Sequence, residues 1–470
     1  MLSFSVSGTY ADLYEITMGQ TYFLEGRHAE TACFDYFFRK IPNNGGYVLF
    51  AGLHDLLEAL EGLQFTDEDI AYLQELRLHP DYLDFLKSFR FKGTLHAPPE
   101  GEVIFPHSPI VRVEGTLLET QLIESLLLNI LNFASLVATK ASRIRQVAGN
   151  RTLSDFGLRR AHGPGAVLAA RAAVVGGFNS TSNTYAALKY GIPAAGTMAH
   201  SFIESYDAEL EAFRAFARSR PDDCIFLVDT YHTLQSGVPN AITVAKELEA
   251  QGHKAVGIRL DSGDLAYLAK AARNMLNEAG FPYVKIITSN QLDEFVIRSL
   301  LEQQAPIDVF GVGTKLVTGA PDAALDGVYK LAMAAGKARL KLSESKEKTT
   351  LPGIKQVLRT LDEEGKFYGA DAVILASEGN HADLIRHPVE EERQLYLRDC
   401  RQEPLLQKVM ENGQRTAAPP ALAETAAYAQ KRLRQLPEEY KRLENPHLYK
   451  VGISPQLWEL REQLKAHFHK

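Results

Sequence analysis

The sequence predicts an α/β protein built on an irregular β/α barrel, with a discontinuous α+β domain and a helical C-terminal segment. Three observations predict it. From about residue 150, short apolar runs alternate with helical stretches. The regions before and after that rhythm are mixed and lack regular crossovers. The last stretch, from about Glu424 to Lys470, is charged and helical in character. At 470 residues the chain exceeds one ordinary core, so two or three domains are expected.

The first 115 residues read as α+β: FDYFFRKIP and GYVLFAGL as strands, and FTDEDIAYLQEL as a capped helix. The apolar region Leu117 to Val137 is interrupted by Glu119, Gln121, Glu124, Asn129 and Asn132. Such groups are costly in lipid, so the region reads as a buried core helix and not a membrane span. The repeating section offers strands TLSDFGL (from Thr152), AAVVGGF (from Ala172), IPAAGT (from Ile192), CIFLVDT (from Cys224), AVGIRL (from Ala255), VKIITS (from Val284) and IDVFGVG (from Ile307). Helices such as AYLAKAARNMLNEAG, LDEFVIRSLLEQQ and SFIESYDAELEAFRAFARS lie between them. Strands alternating with helices indicate a parallel sheet, and so many units in succession favour a closed barrel over an open sheet. No clear dinucleotide-binding glycine fingerprint is present. After Tyr329, YKLAMAAGKARLKLS and FYGADAVILA read again as strands.

Composition narrows the function classes. Hydrophobic content of 45% and charged content of 23% are those of a soluble globular protein. The net charge of −7 is spread along the chain, without a basic run that would track a phosphate backbone, so no nucleic-acid partner is expected. Cys33, Cys224 and Cys400 are far apart, which argues against a disulfide framework or a zinc site and fits a reducing, cytoplasmic setting. The N-terminal MLSFSVSGTYADLYE lacks a basic start and an apolar run of signal length.

In a β/α barrel, residues just after the strands gather at one mouth. Here they are Arg159 and Arg160; Asn179, Ser180, Thr181 and Ser182; Thr197 and His200; Asp229 and Thr230; Arg259, Asp261, Ser262 and Asp264; Ser289 and Asn290; Gly311, Gly313 and Thr314. Seven converging polar ends predict a site for a charged ligand. Each end also has a plainer reading. Arg159 and Arg160 are either a surface pair or an anion clamp. GGFNSTSN is either an N-capped helix start or a phosphate cradle. GVGT alone reads as a tight turn, since short Gly-rich turns are common. Arg259 and Asp261 either pair with each other or hold a ligand; such a carboxylate accepts from sugar hydroxyls or holds Mg²⁺. His200, between a strand-like run and a helix, is either structural or catalytic.

Taken in order, long motifs resemble the nicotinate phosphoribosyltransferase family over almost the whole length: ADLYEITMG, ETQLIESLLLNILNFASLVATKASR, DFGLRRAHGPG, GGFNSTSNTYAALKYGIPAAGTMAHSFIESY, VDTYHTLQSG, GIRLDSGDL, SNQLDEF, FGVGTKLVT and YKLA. The resemblance implies the type II phosphoribosyltransferase fold, with residues 1–14 and 138–335 as the barrel, 15–137 and 336–423 as the α+β domain, and 424–470 as the helical segment. It implies a homodimeric cytoplasmic enzyme of pyridine-nucleotide salvage with shared active sites. The reaction would join nicotinate to phosphoribosyl pyrophosphate, with Mg²⁺ as cofactor and ATP as co-substrate. In the family a histidine of the GT-x-x-H-S segment is transiently phosphorylated, and here that is His200. Tyr14 resembles the aromatic residue that covers the pyridine ring, given by the other subunit. Thr197 and Arg259 resemble nicotinate-binding residues. Asp261 would hold ribose hydroxyls directly or through Mg²⁺, and Asp229 would order this site. Gly313 and Thr314 would cradle the 5′-phosphate. Phe156 and Arg159 lie where the related nicotinamide enzyme has a stacking aromatic and an arginine. That relative reads the carboxamide with an acidic residue; FNSTSN has none, which favours the acid as substrate. The rivals are a phosphoribosyltransferase for a related acid such as quinolinate, which would be shorter and need no ATP, and a non-catalytic nucleotide-binding barrel.

Overall fold

A computed structural model of the chain describes residues 6–342, 349–390 and 392–468. Residues 1–5, Ser343 and 469–470, which the sequence reading assigned to the barrel, a strand and the terminal helical segment, lie outside the described residues. The chain divides into two units, one drawn from Met1–Thr139 and Ala324–Lys470, the other from Lys140–Ala323.

The first unit carries a seven-stranded antiparallel sheet in the order Lys337–Ala338, Gly327–Ala334, Thr31–Phe38, Val111–Thr116, Thr94–Ala97, Gln407–Glu411, Gln414–Arg415. Thr31–Phe38 alternates large apolar residues, and its Phe34 stacks on Tyr329 of the neighbouring strand at 4.8 Å between ring centroids. The helix Asp67–Glu75 is closed by a capping box in which Thr66 Oγ1 accepts from the Asp69 amide and Asp69 accepts from the Thr66 amide. A second, six-stranded sheet runs Gln394–Tyr396, Leu384–Arg386, Lys450–Ile453, Phe367–Leu375, Lys355–Leu361, Arg401–Pro404. At its heart the buried Arg359 guanidinium lies 4.2 Å from the Phe367 ring centroid and is held by Asp371 and Glu102.

The C-terminal stretch read as helical in character also contains the strand Lys450–Ile453, which enters this sheet parallel to Phe367–Leu375. Four residues between the helices Glu438–Lys441 and Pro455–Phe468 leave too short a pattern to register. Residues 6–14 likewise group with this unit, because the helix Leu13–Leu24 is part of its fold. The helix Glu124–Ala148 is long and apolar enough to cross a membrane, but 72% of its apolar window is buried inside the fold.

The second unit is the β/α part. Its parallel sheet runs Ser180–Thr181, Thr152–Asp155, Val309–Val312, Lys285–Thr288, Gly257–Leu260, Ile225–Leu227, with Ala194 bridging to Thr181 at one edge. Among the described residues no ladder joins Ala194 to Ile225–Leu227, which makes the barrel irregular. Two expected strands are corrected. AAVVGGF is the end of the helix Gly165–Val175 and the turn after it. The run continues an alanine-rich helix whose Ala166, Ala169, Ala170 and Ala173 are buried, and alanine outweighs the two valines that suggested a strand. IPAAGT forms a single bridge, in which Pro193 O accepts from the Thr181 amide at 3.1 Å and the Ala195 amide donates to Thr181 O at 2.9 Å; Pro193 has no N–H with which to extend it. The helix expected after His200 is two, His200–Glu204 and Glu209–Ser219.

Candidate active site

The site grows from the ends of the parallel strands of the second unit. Arg259 lies on Gly257–Leu260 and is largely buried, its side chain 13% exposed. Its guanidinium is held on three sides. Nε donates to Ser289 Oγ at 2.9 Å, NH1 to Thr197 Oγ1 at 2.9 Å, and NH2 to Asp261 Oδ1 at 2.9 Å. The group also lies 5.5 Å from the centroid of the Phe156 ring. Phe156 can occupy that place because Gly311 lacks a Cβ; one there would fall 2.5 Å from the ring.

Asp261 follows the same strand. Burial pushes its carboxyl up, but the Ser289 hydroxyl and the Arg259 guanidinium, with His200 opposite, hold it below the usual carboxylate range. Its Oδ1 also accepts from Ser289 Oγ. Its Oδ2 lies 3.8 Å from His200 Nε2. The other ring nitrogen of His200, Nδ1, is 3.1 Å from Thr230 Oγ1. The imidazole is thus steered by a hydroxyl on one side and faces a carboxylate on the other, while remaining partly exposed.

Asp229 is buried and organises the turn. Its Oδ2 accepts from the Asp261 amide and from Ser262 Oγ, both at 2.7 Å. Its Oδ1 is buried without a hydrogen-bond partner. Magnesium takes hard oxygen donors, and the carboxylates of Asp229 and Asp261, at the ends of neighbouring strands Ile225–Leu227 and Gly257–Leu260, are donors of that kind.

The plainer readings of several strand ends coexist with the site. Arg259 and Asp261 do pair, and they do so within the cluster. Asn183 caps the helix Thr184–Tyr190 through the Ala186 amide at 3.2 Å. Gly313 and Thr314 stand at the turn into the short helix Thr314–Val317, with Gly313 against the backbone of Phe156. Arg159 is exposed and joins no hydrogen bond or ion pair among the described residues. Tyr14 lies in the first unit on Leu13–Leu24, 44% exposed. Burial there, with Glu124 and Glu15 beside it, holds its phenol well above the ordinary value.

Sequence reasoning gave Ser289 and Thr230 as strand-end residues without a task; the structure makes them the hydroxyl partners of Arg259, Asp261 and His200. It passed over Asp155. That buried carboxylate accepts from the Gly157 amide at 2.8 Å and from Thr181 Oγ1 at 2.7 Å, and so shapes the turn that carries Phe156. Burial raises its carboxyl, and those two bonds offset part of the rise. Its place at a strand end, one residue before an aromatic, was the available signal. Two surface cavities of about 610 and 430 Å³ lie at the opposite ends of the strands, around Thr152, Val256 and Lys285, and hold none of the predicted site residues.

The chain matches the family model for the nicotinate phosphoribosyltransferase (NAPRTase) family over residues 151–378, with the models of its N-terminal domain over 9–132 and C-terminal domain over 354–461. It is 43% identical to a nicotinate phosphoribosyltransferase of Bacillus subtilis, covering 97% of this chain and 94% of that one. A crystal structure of human nicotinic acid phosphoribosyltransferase superposes with a TM-score of 0.88 at 33% identity, covering 96% of this chain and 99% of that one. A nicotinate-nucleotide pyrophosphorylase structure from Pyrococcus furiosus gives a TM-score of 0.71 at 25% identity, covering 91% and 95%. An irregular barrel with its polar groups at the strand ends, so matched, defines a type II phosphoribosyltransferase. Within that class the chain belongs to the nicotinate phosphoribosyltransferase family.

Proposed function

We infer that this chain joins nicotinate to phosphoribosyl pyrophosphate, giving nicotinate mononucleotide and pyrophosphate in cytoplasmic NAD salvage, with ATP cleaved alongside through a phosphohistidine at His200. The observation that carries the reading is the anchored guanidinium of Arg259 beside Phe156, with His200 and Asp261 at the same strand ends.

Nicotinate carries a carboxylate on a flat ring. Arginine has five N–H groups, and three bonds at 2.9 Å hold this one in place, leaving others for a carboxylate. Phe156 offers a face for the ring, and Tyr14 of a partner subunit would cover the other face in a homodimer with shared active sites. Asp261 accepts from ribose hydroxyls, and Gly313 and Thr314 hold the 5′-phosphate. In the transfer, the bond from the ribose anomeric carbon to pyrophosphate breaks and a bond to the pyridine nitrogen forms. Positioning of the two reactants and stabilisation of the departing charge supply most of the rate. Mg²⁺ held by Asp229 and Asp261 would neutralise charge on the pyrophosphate.

For ATP, a ring nitrogen of His200 attacks the γ-phosphorus, the bond to ADP breaks, and water later takes the phosphoryl group as phosphate. Thr230 and Asp261 orient the imidazole for that attack. Arg159 remains a candidate for phosphate contact.

The test is a steady-state assay with phosphoribosyl pyrophosphate, Mg²⁺ and either nicotinate or quinolinate, with and without ATP. Nicotinate mononucleotide formed faster with ATP, with phosphate released, is the expected result. Product from quinolinate, or no product from either acid, sinks the reading.

A further inference from the structure

Ser289 directly follows the strand Lys285–Thr288 and is 3% exposed. Its amide donates to Leu260 O at 3.0 Å, extending the ladder that pairs Thr288 with Leu260. That register puts its hydroxyl between two side chains of the neighbouring strand end. Oγ accepts from Arg259 Nε at 2.9 Å and donates to Asp261 Oδ1, which also accepts from Arg259 NH2 at 2.9 Å.

We propose that Ser289 is a positioning residue for phosphoribosyl transfer, its hydroxyl locking the Arg259 guanidinium and the Asp261 carboxylate into one mutual orientation. The proposal rests on the reading of Arg259 as the partner of the nicotinate carboxylate. A hydroxyl has one proton, and here it goes to the carboxylate, so the lone pairs are what Nε–H meets. Holding Nε fixes the plane of the guanidinium, and Thr197 and Asp261 then fix its two remaining nitrogens. With two donors on Oδ1, the carboxylate turns its other oxygen toward His200. A substrate then meets a fork already aimed and does not have to order it, which is where positioning gains rate.

A purely structural serine would cap the strand end and nothing more. The two roles separate in a double-mutant cycle on the full-length protein, reading kcat/KM for nicotinate, KM for ATP and the thermal midpoint of each variant. Ser289→Ala is expected to lower kcat/KM for nicotinate about tenfold or more, as the loss of bonds to charged partners predicts. KM for ATP should stay close to that of the unaltered enzyme. In an Arg259→Ala background, removing Ser289 should cost little more, because the guanidinium it aligns with Asp261 is already gone. Additive losses, or a neutral Ser289→Ala beside a strongly impaired Arg259→Ala, would overturn the proposal alone. A neutral Arg259→Ala would overturn the assignment of Arg259 and the proposal with it. If Ser289→Ala fails to fold, Ser289→Cys keeps the size with a weaker donor. The same cycle then applies, with an intermediate, non-additive loss expected and an additive one overturning.

Discussion

Asp261 and Asp229 are tied through the backbone of one and the side chain of the other: the Asp261 amide donates to Asp229 Oδ2 at 2.7 Å. One strand end therefore sets the height of the next. Asp261 is carried at a fixed place opposite His200, and the site behaves as a single network of groups.

Arg259→Ala should weaken nicotinate far more than ATP. Losing a charge-assisted bond in a mostly dry site costs about 1.5–3 kcal/mol. Kinetics with each substrate varied in turn check this; equal weakening of both counts against Arg259 as the carboxylate partner.

Incubation with ATP labelled in the γ position should leave an acid-labile, base-stable label on the peptide around His200. His200→Ala should lose the label, the ATP stimulation and the ATP hydrolysis, yet keep slow synthesis, because Arg259 and Asp261 remain tied to Ser289 and Thr197. A folded His200→Ala that hydrolyses ATP in step with product would refute the phosphohistidine.

Gly311→Ala would place a Cβ 2.5 Å from the Phe156 ring. The ring should swing away from Arg259, with overpacking costing about 1–3 kcal/mol of stability. Nicotinate KM should rise while the variant still folds. Calorimetry beside kinetics reads both effects, and an unchanged KM would remove Phe156 from the nicotinate site.

Stability should fall as pH rises toward neutrality, through Glu15. Burial, with the Glu124 charge beside it, raises this carboxyl to about 7 against the pull of the Ser125 hydroxyl and amide. The folded form holds a proton that the unfolded chain releases near its ordinary value of about 4.3. The contribution is complete below that value and is lost as pH climbs through 7. The slope is up to about 1.4 kcal/mol per pH unit. Denaturation from pH 5 to 8 should show it in the parent and a flatter profile in Glu15→Gln; parallel profiles would contradict it.

Mixing inactive His200 and inactive Tyr14 variants should restore part of the activity, since one of the two sites in a mixed dimer has both residues. No recovery, once subunit exchange is established, would mean that Tyr14 serves its own chain.

Much of the site was legible because a β/α unit delivers the residues after its strands to one end, so Thr197, His200, Asp229, Arg259 and Asp261 could be read from position alone. Which hydroxyl bonds which charge was not legible. Ser289 meets Arg259 only through the register of two strands about thirty residues apart in sequence, which no local pattern encodes. Asp155 was hidden for a similar reason, since its partner Thr181 belongs to another strand. The misread strand at Ala172 came from giving valines more weight than an alanine run, and the missed strand at Lys450–Ile453 from its four-residue length.

Thr31–Phe38 is bonded along one side to Val111–Thr116 and along the other to Gly327–Ala334, with Ala32 opposite Ala334. On the ribosome these two partners arrive at very different times. The near one is made early; the far one follows only after the whole β/α unit has emerged. During that interval an apolar strand presents an open edge, the kind of surface that attracts other nascent chains. The nascent protein therefore passes through a waiting state in which this edge is open to a chaperone or, on overproduction, to another copy of itself.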